Sequence, residues 1–210
     1  MMKGNNMRKS IYILILILFT STCFAGGVTD KVKSVIARKN AAPALTCSRA
    51  TQQSPTDAVD FTTAWSLGEY STTDWKASEF VYGGPTGTLC SVDIGLKKDA
   101  SPTGTLTIYL YNDTGPSTSP STARGTIGTK DVSTLDGTTT WYTFSCDIAI
   151  TNGATYWIVL YFDNPNATNF VRFGIDSECA TEHIVYGADG SSWADDLTTF
   201  CQSIKLYIKE

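Results

Sequence analysis

The chain has 210 residues, 42% of them hydrophobic and 17% charged, with a formal net charge of −4 at neutral pH. That is enough for one good core and too little for two sizeable domains. The acidic balance disfavours nucleic acid and anionic membrane surfaces, which call for clustered Lys and Arg.

The first residues read MMKGNNMRKSIYILILILFTSTCFAGG. Arg8 and Lys9 precede nine apolar residues, 11–19, and Cys23-Phe24-Ala25 offers a cleavage site before Gly26. A bilayer-spanning helix needs about 20 apolar residues. Residues 1–25 are therefore expected to be a cleaved signal peptide, and the mature protein to be secreted, extracellular or periplasmic. Cleavage removes Lys3, Arg8 and Lys9 and no acid, leaving 13 basic against 20 acidic residues. No membrane partner is expected after cleavage.

Residues 26–60 differ in character from the rest of the chain. Val28, Val32, Val35 and Ile36 recur at helical spacing, which predicts a short helix over 29–39. AAPALTCSRATQQSPTD then reads as linker or edge strand. The segment is either a spacer or an assembly element through which copies associate.

From residue 61 to 210 the pattern is strand, turn, strand. Short runs rich in apolar and aromatic residues fall at 61–70, 75–83, 90–97, 104–111, 140–150, 154–163, 169–176, 182–187 and 202–209. Val92, Ile94 and Leu96 alternate with polar residues, as do Leu106, Ile108 and Leu110 after Pro102 and Gly104. This reads as a β-hairpin with one face buried. Asp136-Gly137, Asn152-Gly153 and Asp189-Gly190 mark further turns. The class is all-β, an antiparallel β-sandwich or jelly roll of about eight strands. Thr and Ser together number 50, so hydroxyls rather than charges cover its outer faces.

Cys47, Cys90, Cys146, Cys179 and Cys201 remain after cleavage, with no CxxC and a single histidine, so zinc is not expected. Disulfides are the default for an exported chain. Cys90 shares the phase of Val92 and Ile94, and Cys146 that of Phe144 and Ile148, which suggests a 90–146 bridge. Cys179 and Cys201 flank one hairpin and form a second candidate pair. Cys47 is then left free or joined to another chain.

VDIGLKKDASPTGTLTIYLYNDTGPSTSP, WYTFSCDIAITNGATYWIVL, and VYGADGSSW followed by SIKLYIKE occur in that order, a match over roughly residues 75–208. These motifs resemble the jelly-roll module of secreted choice-of-anchor proteins, which is similar to carbohydrate-binding sandwiches. The resemblance implies an extracellular, non-catalytic module and brings no catalytic or ligand residues with it.

Chemistry is sparse. His183 is the only histidine and no G-x-S-x-G is present, so a serine triad has no basis. Carboxylate pairs such as Glu178 with Glu182 and Asp195 with Asp196 read as lying in turns, which leaves a glycan-active hydrolase as a remote alternative. Aromatic residues are the better lead, because flat rings stack on sugar C–H faces. Trp157 and Tyr161 lie in TYWIVLYF, apolar on both faces, and are expected in the core. Tyr109, Tyr111, Trp141 and Trp193 are the candidate ligand-binding rings. Asp113, Asp163, Asn164 and Asn166 are weak calcium candidates without the spaced pattern of a calcium loop. No other cofactor is expected. Asn112-Asp-Thr and Asn166-Ala-Thr are glycosylation sequons. The expected function is a secreted, non-enzymatic module that binds glycan or a surface protein. The alternative is a structural subunit of an extracellular appendage or envelope layer, joined through residues 26–60 or Cys47.

Overall fold

The computed structural model describes residues 46–50, 52–54, 63–69, 75–113, 119–165, 168–176, 183–187, 189–197 and 201–209. The expected signal peptide and the helix over 29–39 lie outside the described residues. So do Cys179 and the side chain of Cys201.

The described chain is a two-sheet antiparallel β-sandwich. Its strands are β1 (Ser48–Arg49), β2 (Gln52–Ser54), β3 (Thr63–Leu67), β4 (Trp75–Tyr82), β5 (Gly87–Asp99), β6 (Thr105–Asp113) and β7 (Pro120–Asp131). After a 3-10 turn at Val132–Thr134 come β8 (Thr140–Ile150), β9 (Thr155–Phe162), β10 (Phe170–Asp176), β11 (Ile184–Gly187), β12 (Trp193–Leu197), β13 (Cys201–Gln202) and β14 (Ile204–Lys209). The first sheet runs β1-β14-β5-β10-β13, with β8 beside β5 and β3 beside β10. The second runs β12-β11-β4-β9-β6-β7, with β2 beside β4. Among the described residues no helix is long and apolar enough to cross a membrane.

The inner faces carry the core. Val92, Ile94 and Leu96 of β5, Leu106, Ile108 and Leu110 of β6, Ile158, Leu160 and Phe162 of β9, and Ile204, Leu206 and Ile208 of β14 belong to one buried cluster. Each such side chain contributes about 1.5–3 kcal/mol by leaving water. The alternation in the sequence placed the β5 and β6 residues on the buried face correctly.

The hairpin expected at 91–111 is not one. β5 belongs to the first sheet and β6 to the second, so the chain between them crosses the sandwich. Both strands bury their apolar faces in the same core from opposite sides, and a period of two reads the face without reading the sheet. Ala100 at φ 58° and Gly104 at φ 120° shape this crossover. Thr105 N–H donates to Asp163 Oδ1 at 2.7 Å, and Asn164 Nδ2 donates to the Thr103 carbonyl at 2.9 Å. A Cβ on Gly104 would run into Asp163 Oδ1. Asp136-Gly137 and Asn152-Gly153 also lie where the chain changes sheet, whereas Asp189-Gly190 closes a hairpin within one, between β11 and β12. Asp195 and Asp196 fall within β12 rather than in a turn.

The 90–146 bridge is also corrected. Cys90 is bonded to Cys47, with Cα atoms 6.2 Å apart, and Cys146 is free. The cause is a register shift in the β5–β8 pairing between Leu89 and Ser91. It lets Leu89 and Val92 both belong to the inner cluster and takes Cys90 out of the expected phase. Cys146 does pack against the core, and burial pushes its thiol up to about 11. Cys47, held within the chain, has no free thiol for a neighbour.

Candidate functional site on the outer face of the second sheet

The two outer faces of the sandwich differ in chemistry. On the first sheet, the main polar groups of the outer face are paired within the sheet. Asp93 accepts from the Thr143 hydroxyl at 2.6 Å and from the Tyr207 hydroxyl at 2.8 Å. Arg172 pairs with Asp99. The Lys205 ammonium lies 3.8 Å from the centre of the Trp141 ring, a cation–π contact that occupies this tryptophan structurally. Trp141 therefore sits on the opposite sheet from Tyr109, Tyr111 and Trp193 and takes no part in a platform with them.

On the second sheet the outward phase is Trp75, Ala77 and Glu79 on β4, Trp157, Val159 and Tyr161 on β9, and Tyr109 and Tyr111 on β6. Pairing fixes their order in rows. Trp75 lies opposite Tyr161, Ala77 opposite Val159 and Glu79 opposite Trp157. On the other edge of β9, Tyr109 faces Val159 and Tyr111 faces Trp157. On the far side of β4, Val185 faces Ala77, and Gly187 lies between Trp75 and Trp193.

Ala77, Trp157, Val159 and Val185 form a buried floor, against which Trp75, Tyr109, Tyr111 and Trp193 pack half-exposed. Trp75 stacks on Tyr161 at 4.4 Å between ring centres and on Tyr109 at 5.9 Å, and meets Trp193 edge-on at 6.5 Å. Tyr109 meets Tyr111 edge-on at 6.1 Å. Tyr109, Tyr111 and Trp193 are thus brought together, joined by Trp75 and Tyr161. Trp157 is buried as expected, but in this outer layer rather than between the sheets. Tyr161, expected in the core, is a half-buried member of the outer face. Trp75 is legible in principle, since it shares the phase of Ala77 and Val81, opposite to that of Phe80 and Tyr82.

One end of this face is polar. Glu79 is flanked by Trp157 on β9 and by His183, whose carbonyl accepts from the Glu79 N–H at 3.0 Å. Burial raises the Glu79 carboxyl above its usual range; His183 opposes the shift and Asp113 adds to it. Burial, with Tyr109 beside it, likewise raises the Tyr111 hydroxyl. Trp157 Nε1, His183 Nδ1 and Asp113 Oδ1 are buried without a hydrogen-bond partner among the described residues.

The calcium candidates do not converge. Asp163 and Asn164 are spent on the crossover at the start of β6, while Asp113 ends that strand, roughly 25 Å away at a strand's rise per residue. Asn166 lies outside the described residues, as do Glu178 and Glu182. No group of three or more His, Cys, Asp or Glu side chains among the described residues could hold a metal ion.

No known protein family matches the chain, and no curated protein matches it either.

Proposed function

We propose that this protein is a secreted, non-enzymatic β-sandwich module that binds glycan through the outer face of its second sheet. One observation carries the reading: a contiguous set of half-exposed rings, Trp75, Tyr109, Tyr111, Tyr161 and Trp193, on one outer face, opposite a face where Asp93, Arg172 and Lys205 are engaged by their neighbours. Rings held on strands offer a flat, rigid surface with little side-chain entropy left to lose, which suits stacking against pyranose C–H faces. The resemblance of its motifs to those of choice-of-anchor modules, and the sandwich fold, support the same reading. The Cys47–Cys90 bond is compatible with an oxidising compartment, which supports export.

A glycan array probed with the purified protein tests this, followed by calorimetric titration of any glycan retained. The proposal expects saturable binding that survives high salt, because stacking rather than ion pairing holds the ligand. Binding to no glycan, or binding that salt abolishes, would refute it. The appendage-subunit alternative loses one support, since Cys47 is bonded within the chain.

A further inference from the structure

We infer that the polar end of this face is a subsite for a neutral sugar ring, reading its hydroxyl groups through Glu79, Asp113 and Trp157. The inference rests on the glycan-binding reading and specifies its ligand. Trp157 is fully buried, yet its Nε1 finds no hydrogen-bond partner among the described residues. Asp113 and His183 are only partly buried, but their Oδ1 and Nδ1 atoms are likewise closed to solvent without a partner. Pairing places Trp157 between half-exposed Glu79 and Tyr111, and the chain carries Asp113 two residues beyond Tyr111 on the same face.

Buried polar groups in native proteins are nearly all hydrogen-bonded. Among the described residues Trp193 Nε1, Gln202 Nε2 and Ser203 Oγ are orphaned singly elsewhere, whereas the three at this end lie around one side chain, Glu79, and point to a missing partner. The orphans specify it. An indole N–H only donates, and a carboxylate only accepts. A metal ion or an ammonium group satisfies Glu79 and Asp113 and offers nothing to the indole. A phosphate or carboxylate would satisfy the indole and be repelled by the two acids. A hydroxyl does both. A ring bearing several hydroxyls, with apolar C–H faces for Tyr109 and Tyr111 alongside, is a neutral pyranose. Trp157 Nε1 is closed to solvent in the free protein, so binding requires a side-chain rotation beside it, a change of the kind interfaces commonly undergo.

The test is nuclear magnetic resonance of the full ¹⁵N-labelled chain. Neutral cello-, xylo- and manno-oligosaccharides are titrated beside oligogalacturonate and chitosan oligomers. The Trp157 indole N–H signal is identified by its loss in Trp157→Phe. Expected is a shift of that signal with a neutral series, no shift with oligogalacturonate, and affinity weakened about tenfold or more in Glu79→Gln and in Asp113→Asn. These two variants keep side-chain shape, so they remain informative if Trp157→Phe fails to fold. Neutral-sugar binding with full strength in both variants and an unmoved indole signal would overturn the subsite and leave the glycan reading standing. Preference for oligogalacturonate or chitosan oligomers would overturn it as well. Binding of none of these on an array-negative protein would remove both.

Discussion

Glu79 stands where the demands of stability and of binding diverge. Its carboxyl is raised chiefly by burial, so the folded state holds its proton more tightly than the unfolded chain does. The stabilising contribution is full below the usual glutamate value of 4.5 and is lost as pH rises through the folded value. The ionised form of the side chain is therefore the costly one. Glu79→Gln should melt higher than the parent at neutral pH, and the gap should close as pH falls toward 4.5. Thermal melts of the two proteins across that range check it. A variant that melts lower at neutral pH would show that the carboxylate is compensated by a partner. Little of this is legible in the sequence. Glu79 is one acid among 20, and its place beside Trp157 and His183 depends on strands that are distant in the chain.

The strands show which part of the architecture periodicity can carry. In β6 the inward residues are Leu106, Ile108 and Leu110, and the outward ones are Thr and Tyr, so the phase is unambiguous. Ile108→Asp should abolish folding, because an unpaired buried carboxylate costs several kcal/mol against a total stability of about 5–15. Thr107→Asp, outward and half-exposed, should fold, and circular dichroism separates the two outcomes. Equal loss in both would contradict the assigned phase. β4 is less legible because Lys76 and Ser78 share the inward phase of Phe80 and Tyr82. The Lys76 ammonium lies over Trp65 at 5.3 Å and Tyr186 at 5.0 Å, contacts that help to accommodate a charge there. β7, PSTARGTIGTKD, carries no strand signal at all. It is the last strand of its sheet and mostly exposed, its pairing with β6 is broken by three register shifts, and its glycines admit neighbours. A Cβ at Gly128 would come within 2.9 Å of Phe144. Turn glycines divide in the same way. Gly104, at φ 120° and against Asp163, should lose about 1–3 kcal/mol on replacement by Ala. Gly137 has open space around its Cβ position, and Gly137→Ala should change stability by less than about 0.5 kcal/mol. Chemical denaturation of both variants measures the contrast.

At the scale of the molecule, repeated crossing between sheets puts strands from all along the chain into one core, and the aromatic face inherits its rigidity from that core. Residues Trp75, Tyr109, Tyr161 and Trp193 come from four strands, and no local pattern could assemble them. The Cys47–Cys90 bond ties the segment before β1 to the middle of the first sheet, with its two cysteines 43 positions apart in the chain. Closing a loop of that size restricts the unfolded chain, and Cys47→Ser should cost about 2–4 kcal/mol. Peptide mapping without reductant should find the 47–90 bond with Cys146 as a thiol. A 90–146 bond would restore the pairing that simple alternation suggests and contradict the register shift in β5.

The two outer faces are assigned different work, binding on the second sheet and structure on the first. Glycan retention by two double variants, each matched to the parent for folding by its melting curve, tests this division. Tyr109→Ala with Trp193→Ala strips the second sheet, and Trp141→Ala with Lys205→Ala strips the first. The former should lose retention of every glycan the parent binds, while the latter should keep it. Loss of retention in the Trp141 and Lys205 variant, with the Tyr109 and Trp193 variant unaffected, would place binding on the wrong sheet and end the assignment.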